Sequence, residues 1–454
     1  MTQPQRPTLS SAKTGTKPRK LHWEAGDTLK ALQNRVERYR LRNGLTVLLI
    51  PDHTTPIVTT QFWVKTGSRN ERPGITGISH LFEHMMFRGS LKYGPEEHAN
   101  IVKRNGGLLN AYTFYDHTVY FETMTSDKLE LAIHLEAERF ANLRIDPKVL
   151  SDEKKVVAEE RLRRYDNSLG GSTTEQILIN SFRSSPYSWP VIGWMHDIKN
   201  YSLDDVQEYY RLRYAPNNVV AVISGDFTSA QALKLLRKYW GKIPAQPTPP
   251  QPYMQEITQR GERRITHKFP SELPSVSITF KIPPLTHSDL PAVLILSDIL
   301  GKGESSRLYQ RLVYRDRTAR NAYASCLSLV GQGLMFVEAG LQPGIELPQA
   351  EAAIWEEIER IQREGVSEPE LEKARNYYAA SSLRQLTTTS GLGTLLGLYE
   401  NDTGDYRNAF KKFEQLERVT LADIQRCAKS YLDHDQSVIV QVFPNHSAEK
   451  GANQ

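Results

Sequence analysis

The sequence predicts an α+β protein of two homologous domains, each a largely antiparallel sheet with helices packed on it, joined by a proline-rich linker. Three observations carry this. The first is a faint internal repeat. YSLDDVQEYYRLRYAPNNVVAVISGDF, from Tyr201, parallels VTLADIQRCAKSYLDHDQSVIVQVFPN, from Val419. Each opens on Ser or Thr followed by leucine and an acid, which suits a helix N-cap. Each then runs as an amphipathic helix to a tyrosine and passes a polar turn into a valine-rich strand. Ser202 and Thr420 lie 218 positions apart, nearly half of the 454 residues. The second observation is the stretch from Ile243 to Arg264. Pro247, Pro249, Pro250 and Pro252 continue neither a helix nor a central strand, so it reads as an extended linker. The third is the mixture of strand and helix signals without strict βαβ alternation.

Further pairs follow in the same order. DPKVLSDEKKVVAEERL, from Asp146, resembles SEPELEKARNYYAASSL, from Ser367, and each carries a proline suited to a first helical turn. The strand TQFWVKTG near Gln61 has its counterpart in VSITFKIPP near Val276. The expected division is a basic tail over 1–22, a first domain over 23–245, a linker over 246–262, a second domain over 263–446 and a tail over 447–454.

Composition narrows the function classes. Apolar content of 39% and charged content of 24% are ordinary for a globular chain. A net charge of +5, without a dense Lys/Arg tract, argues against nucleic acid as a partner. There is no apolar run long enough for a membrane span. The first 22 residues contain no acid and no apolar core of a secretory signal. Two cysteines, Cys326 and Cys427, fit a reducing compartment. The expected location is the cytoplasm, with periplasm or organelle left open.

The chemistry concentrates in TGISHLFEHMMFRGS. His80 and His84, four apart on a helix, present both imidazoles on one face, where both can reach one ion. Glu83 is displaced from that face but close to it, the place for a base acting on metal-bound water. Leu81, Phe82, Met85 and Met86 surround the polar face and keep it dry. Catalytic zinc keeps one position open and takes three protein ligands, so a third must come from elsewhere. The helix expected from Asp146 offers Glu153, Glu159 and Glu160, with Glu153 and Glu160 seven apart on one face. His98 and His134 fall on expected helices without a partner at ligand spacing, and His117 reads as structural.

Taken together these residues resemble the pitrilysin/insulinase-type zinc metallopeptidases, the inverzincins, whose motif is H-x-x-E-H. The resemblance implies Zn2+, one per chain, held by His80, His84 and Glu160, which lies 76 residues after His84. It implies Glu83 as general base and Glu153 as a carboxylate supporting the ligands. RNGLTVLLIPD, from Arg42, is similar to the family's opening strand, and RYAPNNVVAVISGDF, from Arg213, to the end of its first domain. GGLLNAYTFYDHTVYF, from Gly106, is similar to the strand whose edge adds bound peptide, which places Asn110, Ala111 and Tyr112 beside the substrate backbone.

One stretch departs from the pattern. Active relatives carry an Arg and a Tyr in the second half that stabilise the tetrahedral carbonyl. In GKGESSRLYQRLVYRDRTARNAYAS, from Gly301, Arg320 stands where that Tyr is expected and Tyr314 near the expected Arg. The resemblance therefore implies the zinc-bearing member of a dimer. Its partner is a second copy or a related subunit that lacks the zinc motif and carries the Arg/Tyr pair. Two alternatives stay open: a non-catalytic scaffold or chaperone-like member, and a metal hydrolase acting on something other than peptides.

Overall fold

A computed structural model describes residues 25–445; the two tails expected from the sequence, 1–22 and 447–454, lie outside them. Among the described residues, eleven strands form two sheets. The first is built from β1 (Glu37–Arg40), β2 (Thr46–Pro51), β3 (Ile57–Val64), β4 (Leu108–Thr113), β5 (Thr118–Thr125) and β6 (Val219–Gly225), in the order β1-β2-β6-β3-β5-β4. The second is built from β7 (Arg263–Phe269), β8 (Ser275–Ile282), β9 (Ala319–Leu327), β10 (Gly333–Leu341) and β11 (Ser437–Pro444), in the order β7-β11-β8-β10-β9. Leaving out β1, the two orders are the same. Each sheet has one parallel pair, β2 with β6 and β7 with β11, and is otherwise antiparallel. The repeat read from the sequence is thus a repeat of topology.

The repeated caps form as their residues dictate. Ser202 and Thr420 each close a capping box, with Asp205 and Asp423 bonding back. Their helices, Leu203–Arg213 and Leu421–Tyr431, lead into β6 and β11. All seven residues of β6 are buried, because the first sheet is covered on both faces.

One face of the first sheet, with Val47, Leu49, Phe62, Tyr120 and Ile223, packs on its own half's helices. The opposite face is covered by a helix of the second half, Thr389–Thr403: Trp63, Val220 and Val222 share a core with Leu392, Leu395 and Leu396. Gly393 and Gly397 permit this approach, since a Cβ on Gly397 would lie 2.3 Å from Trp63 Nε1. The second sheet receives the same treatment in return. Its own helices cover Ile278, Phe280 and Val337. The first half's helix Leu169–Ser181 covers Leu334 and Val440 with Ile177 and Leu178. Each half therefore lends one helix to the other's sheet. No helix among the described residues is long and apolar enough to cross a membrane.

Candidate metal centre

The helix Ile78–Met85 begins at Gly77, whose φ of 87° and contact with Ile192 leave no room for a side chain. The buried Glu71 carboxylate caps its first turn by accepting from the backbone N–H of Gly77 at 2.7 Å and of Ser79 at 2.8 Å. Leu81, Phe82, Met85 and Met86 are buried, as their apolar character requires. The helix Pro147–Arg161 starts where Asp146 accepts from the N–H groups of Lys148 and Val149. It lies against the first helix and brings Glu153 and Glu160 to the two histidines.

The three groups converge. One ligand atom from each of His80, His84 and Glu160 lies within 4.8 Å of the others. Glu160 Oε2 is 3.2 Å from His84 Nε2 and 3.8 Å from His80 Nε2. Tetrahedral zinc with bonds of about 2.0–2.1 Å separates neighbouring ligand atoms by roughly 3.3 Å, so the donor set fits that ion. Glu153 Oε2 stands 3.6 Å from His84 Nδ1 and orients the ring from behind, while Arg88 holds Glu153 Oε1 at 2.5 Å. Arg164 pairs with the other Glu160 oxygen at 2.9 Å.

The electrostatics agree with that donor set. Burial pushes His80 down to about 4, leaving it neutral, as a ligand must be. A hydrogen bond with His84, opposed by burial, holds Glu160 down to about 2. Burial works against a charged His84, but hydrogen bonds to Glu153 and Glu160 prevail and lift it to about 9. The centre thus collects positive charge, which a dication supplies in exchange for a proton. Burial raises Glu83, with Thr113 hydrogen bonding in opposition.

Thr113 ends β4, which among the described residues pairs only with β5, so within them it is an edge strand. Of the expected substrate-side residues, Asn110 is exposed, Tyr112 half-buried and Ala111 buried on that strand. Phe114 lies beyond the strand, in the turn closed by its N–H to the His117 carbonyl. Tyr314 and Arg320 are not brought together. Tyr314 is exposed on the turn Tyr309–Arg315 and lines a cavity with Arg307 and Arg311, whereas Arg320 on β9 lines a separate one.

Sequence reasoning passed over Arg88, Arg164, Thr113 and Glu71. The first two carried a legible signal, each lying four residues after a candidate ligand, just past the end of that ligand's helix. A second convergence was also missed: His98, Glu122 and Glu136 come from two helices and β5, all buried, with His98 Nε2 3.2 Å from Glu122 Oε2. Arg139 closes this group on Glu136.

Comparison with known proteins settles the kinship. A zinc protease of Helicobacter pylori, PqqE, is 31% identical over 90% of this chain and 93% of its own length. The chain belongs to peptidase family M16. The family profile "Insulinase (Peptidase family M16)" matches residues 46–193, and "Peptidase M16 inactive domain" matches residues 200–378. A crystal structure of a protease from Helicobacter pylori superposes on this M16 chain with a TM-score of 0.86, at 30% identity, over 90% of this chain and 99% of that one. A probable mitochondrial-processing peptidase subunit beta of Arabidopsis thaliana is 22% identical over 89% of this chain and 77% of its own length. The two-half architecture is that of the M16 relatives, and zinc protease is the activity for which they are named.

Proposed function

We propose that this M16 chain is a zinc-dependent endopeptidase that hydrolyses peptides or unfolded protein segments, and that it is the zinc-bearing member of a dimer. One observation carries the reading: His80, His84 and Glu160 converge from two helices, with Glu83 on the helix of the two histidines and packed by the edge strand β4. His80, His84 and Glu160 hold the ion, and Glu153 fixes the His84 ring through Nδ1. When bound, zinc supplies Lewis acidity, lowering the pKa of water to about 7 and polarising a carbonyl. Glu83 accepts the proton of the attacking water and delivers it to the leaving amine. Its raised carboxyl suits a group that must work as base and then as acid. Asn110, Ala111 and Tyr112 bind an extended peptide by strand addition, which accepts many sequences.

The separation of Tyr314 from Arg320 supports dependence on a partner, either a second copy or a related subunit bringing the Arg and Tyr. The division into domains at a 246–262 linker and a cytoplasmic setting belong to the same proposal. The match to an "inactive domain" profile supports a second reading, a scaffold or chaperone-like member. One experiment separates them. Metal analysis and peptide cleavage are measured on wild type and Glu83→Gln, with and without the partner subunit. The peptidase reading expects one zinc in both proteins and hydrolysis in wild type alone. Zinc-free wild type, or full activity in Glu83→Gln, removes it. Robust hydrolysis by a verified monomer removes the dimer.

A further inference from the structure

The helix lent by the first half, Leu169–Ser181, packs on β11, β7 and β8 and stops short of β9. Between its first turns and the uncovered end of the second sheet lies a cavity of about 390 Å³. Gly170, Thr173, Ser277, Arg320, Tyr323 and Glu338 line it. The size falls in the range of small-ligand or side-chain subsites.

Its charges are unevenly satisfied. Ser277 Oγ donates to Glu338 Oε1 at 3.2 Å, and Tyr323, directly across the β9–β10 ladder, donates its hydroxyl to Glu338 Oε2. Both oxygens of that carboxylate are therefore engaged. Arg320 is different. Among the described residues it has no hydrogen-bond or ion-pair partner. A shift of register between Gly340 and Leu341 leaves Arg320 and Asn321 both exposed on β9, and both border the cavity. Thr173 Oγ1 is buried there without a partner. An unpaired guanidinium beside unfilled hydroxyl capacity calls for a planar anion, to which Arg offers two parallel donors.

The helix that borders the cavity is also tied to the candidate metal centre. A Cβ on Gly171 would fall 2.0 Å from the Arg164 carbonyl oxygen, so the start of the lent helix rests on the turn just beyond Glu160. Arg164 in turn pairs with Glu160. β9 is moreover the strand of the second sheet that occupies the place of β4 in the first.

The geometry points to a carboxylate-binding subsite centred on Arg320, which takes an acidic side chain or the free C-terminus of a bound peptide. It rests on the peptide reading above and adds a chemical preference to it. The test uses zinc-loaded full-length Glu83→Gln and three fluorescent peptides of one neutral core: C-terminally amidated, with a free C-terminus, and amidated with one internal glutamate. Anisotropy at low ionic strength gives the affinities. At least one carboxylate form binds about tenfold tighter than the neutral amide, in keeping with a charge-assisted hydrogen bond. The form that gains identifies the source of the carboxylate. Adding Arg320→Ala abolishes the gain and leaves the neutral amide unchanged, and Arg320→Lys restores part of it. Equal binding of all three, or a preference that survives Arg320→Ala, overturns the subsite. Binding of none, the neutral amide included, overturns the peptide reading itself, a distinct result.

Discussion

At the scale of single residues, the geometry separates groups that touch the reaction from groups that hold them. Glu153 contacts no substrate in the proposed mechanism, yet it stands behind His84 and is itself pinned by Arg88. Supporting carboxylates of this kind are worth 10–100-fold in metal affinity. We expect Glu153→Ala to weaken zinc binding by about that factor, read by chelator competition, while the protein stays folded. Such residues were partly legible. The H-x-x-E-H spacing and the distant Glu160 follow from helix periodicity and a family resemblance, whereas Thr113 meets Glu83 only because β4 folds against the helix. His98, Glu122 and Glu136 were illegible for the same reason, since no sequence spacing joins three separate elements. Burial, opposed by Arg139, pushes Glu122 up to about 8. A raised carboxyl binds its proton more tightly folded than unfolded, so stability is lost as pH rises from about 4.5 to 8. His98, pushed down to about 3 by burial, acts with the opposite slope, but only below about 6.5. Between pH 6.5 and 8 the Tm of wild type should fall, the raised Glu122 carboxyl adding to the like-signed contributions of Glu71 and His84. Glu122→Gln should make that fall shallower in a thermal-melt series.

At the scale of elements, two helices shape the candidate metal centre, and each is fixed at its N-terminus. The sequence showed one of these devices, Asp146 followed by Pro147, and the structure has it. The other was hidden. Gly77 carries no capping side chain, and its role comes from a left-handed backbone packed against Ile192, while the cap itself is Glu71 from an earlier loop. Asp146→Ala should cost about 1 kcal/mol, the typical price of a lost cap, measured by denaturant unfolding. Gly77→Ala should cost more. A Cβ there would lie 2.1 Å from the Ile192 carbonyl oxygen, and the residue must also hold positive φ. Because the helix it starts bears both histidines, zinc affinity should fall with stability in this variant. Asp146→Ala should leave zinc affinity nearly intact, since its cap lies two turns before Glu153. A Gly77→Ala protein with wild-type zinc affinity would show that the helix start does not set the ligand geometry.

At the scale of the whole molecule, the repeat was readable, but the exchange of helices was not. Leu169–Ser181 is rich in Gly, Ser and Thr, and Thr389–Thr403 opens in the same manner. Neither has the one-sided apolar stripe that announces a buried partner, because each meets a mixed polar and apolar sheet face. The exchange is reinforced by polar contacts at the β4–β5 turn. His117 Nδ1 lies 3.1 Å from both carboxylate oxygens of Asp402, at the end of the lent helix, and both side chains are buried. Asp116 accepts from Tyr187 at 2.6 Å and from the backbone N–H of Val330 at 3.1 Å, and it pairs with Arg69 at 3.1 Å. The second half thus grips the turn directly after Thr113, whose hydroxyl donates to the Ser79 carbonyl on the helix that carries Glu83. Removing one partner of a buried hydrogen bond leaves the other unsatisfied and costs about 1–3 kcal/mol. Asp402→Ala should therefore lower unfolding stability by that order and speed amide exchange in β4 and β5. The β2–β6 pair, remote from the turn, should keep wild-type exchange. If β4 exchanges no faster in the variant, the His117–Asp402 contact does not hold the turn, and the remaining contacts between the halves do.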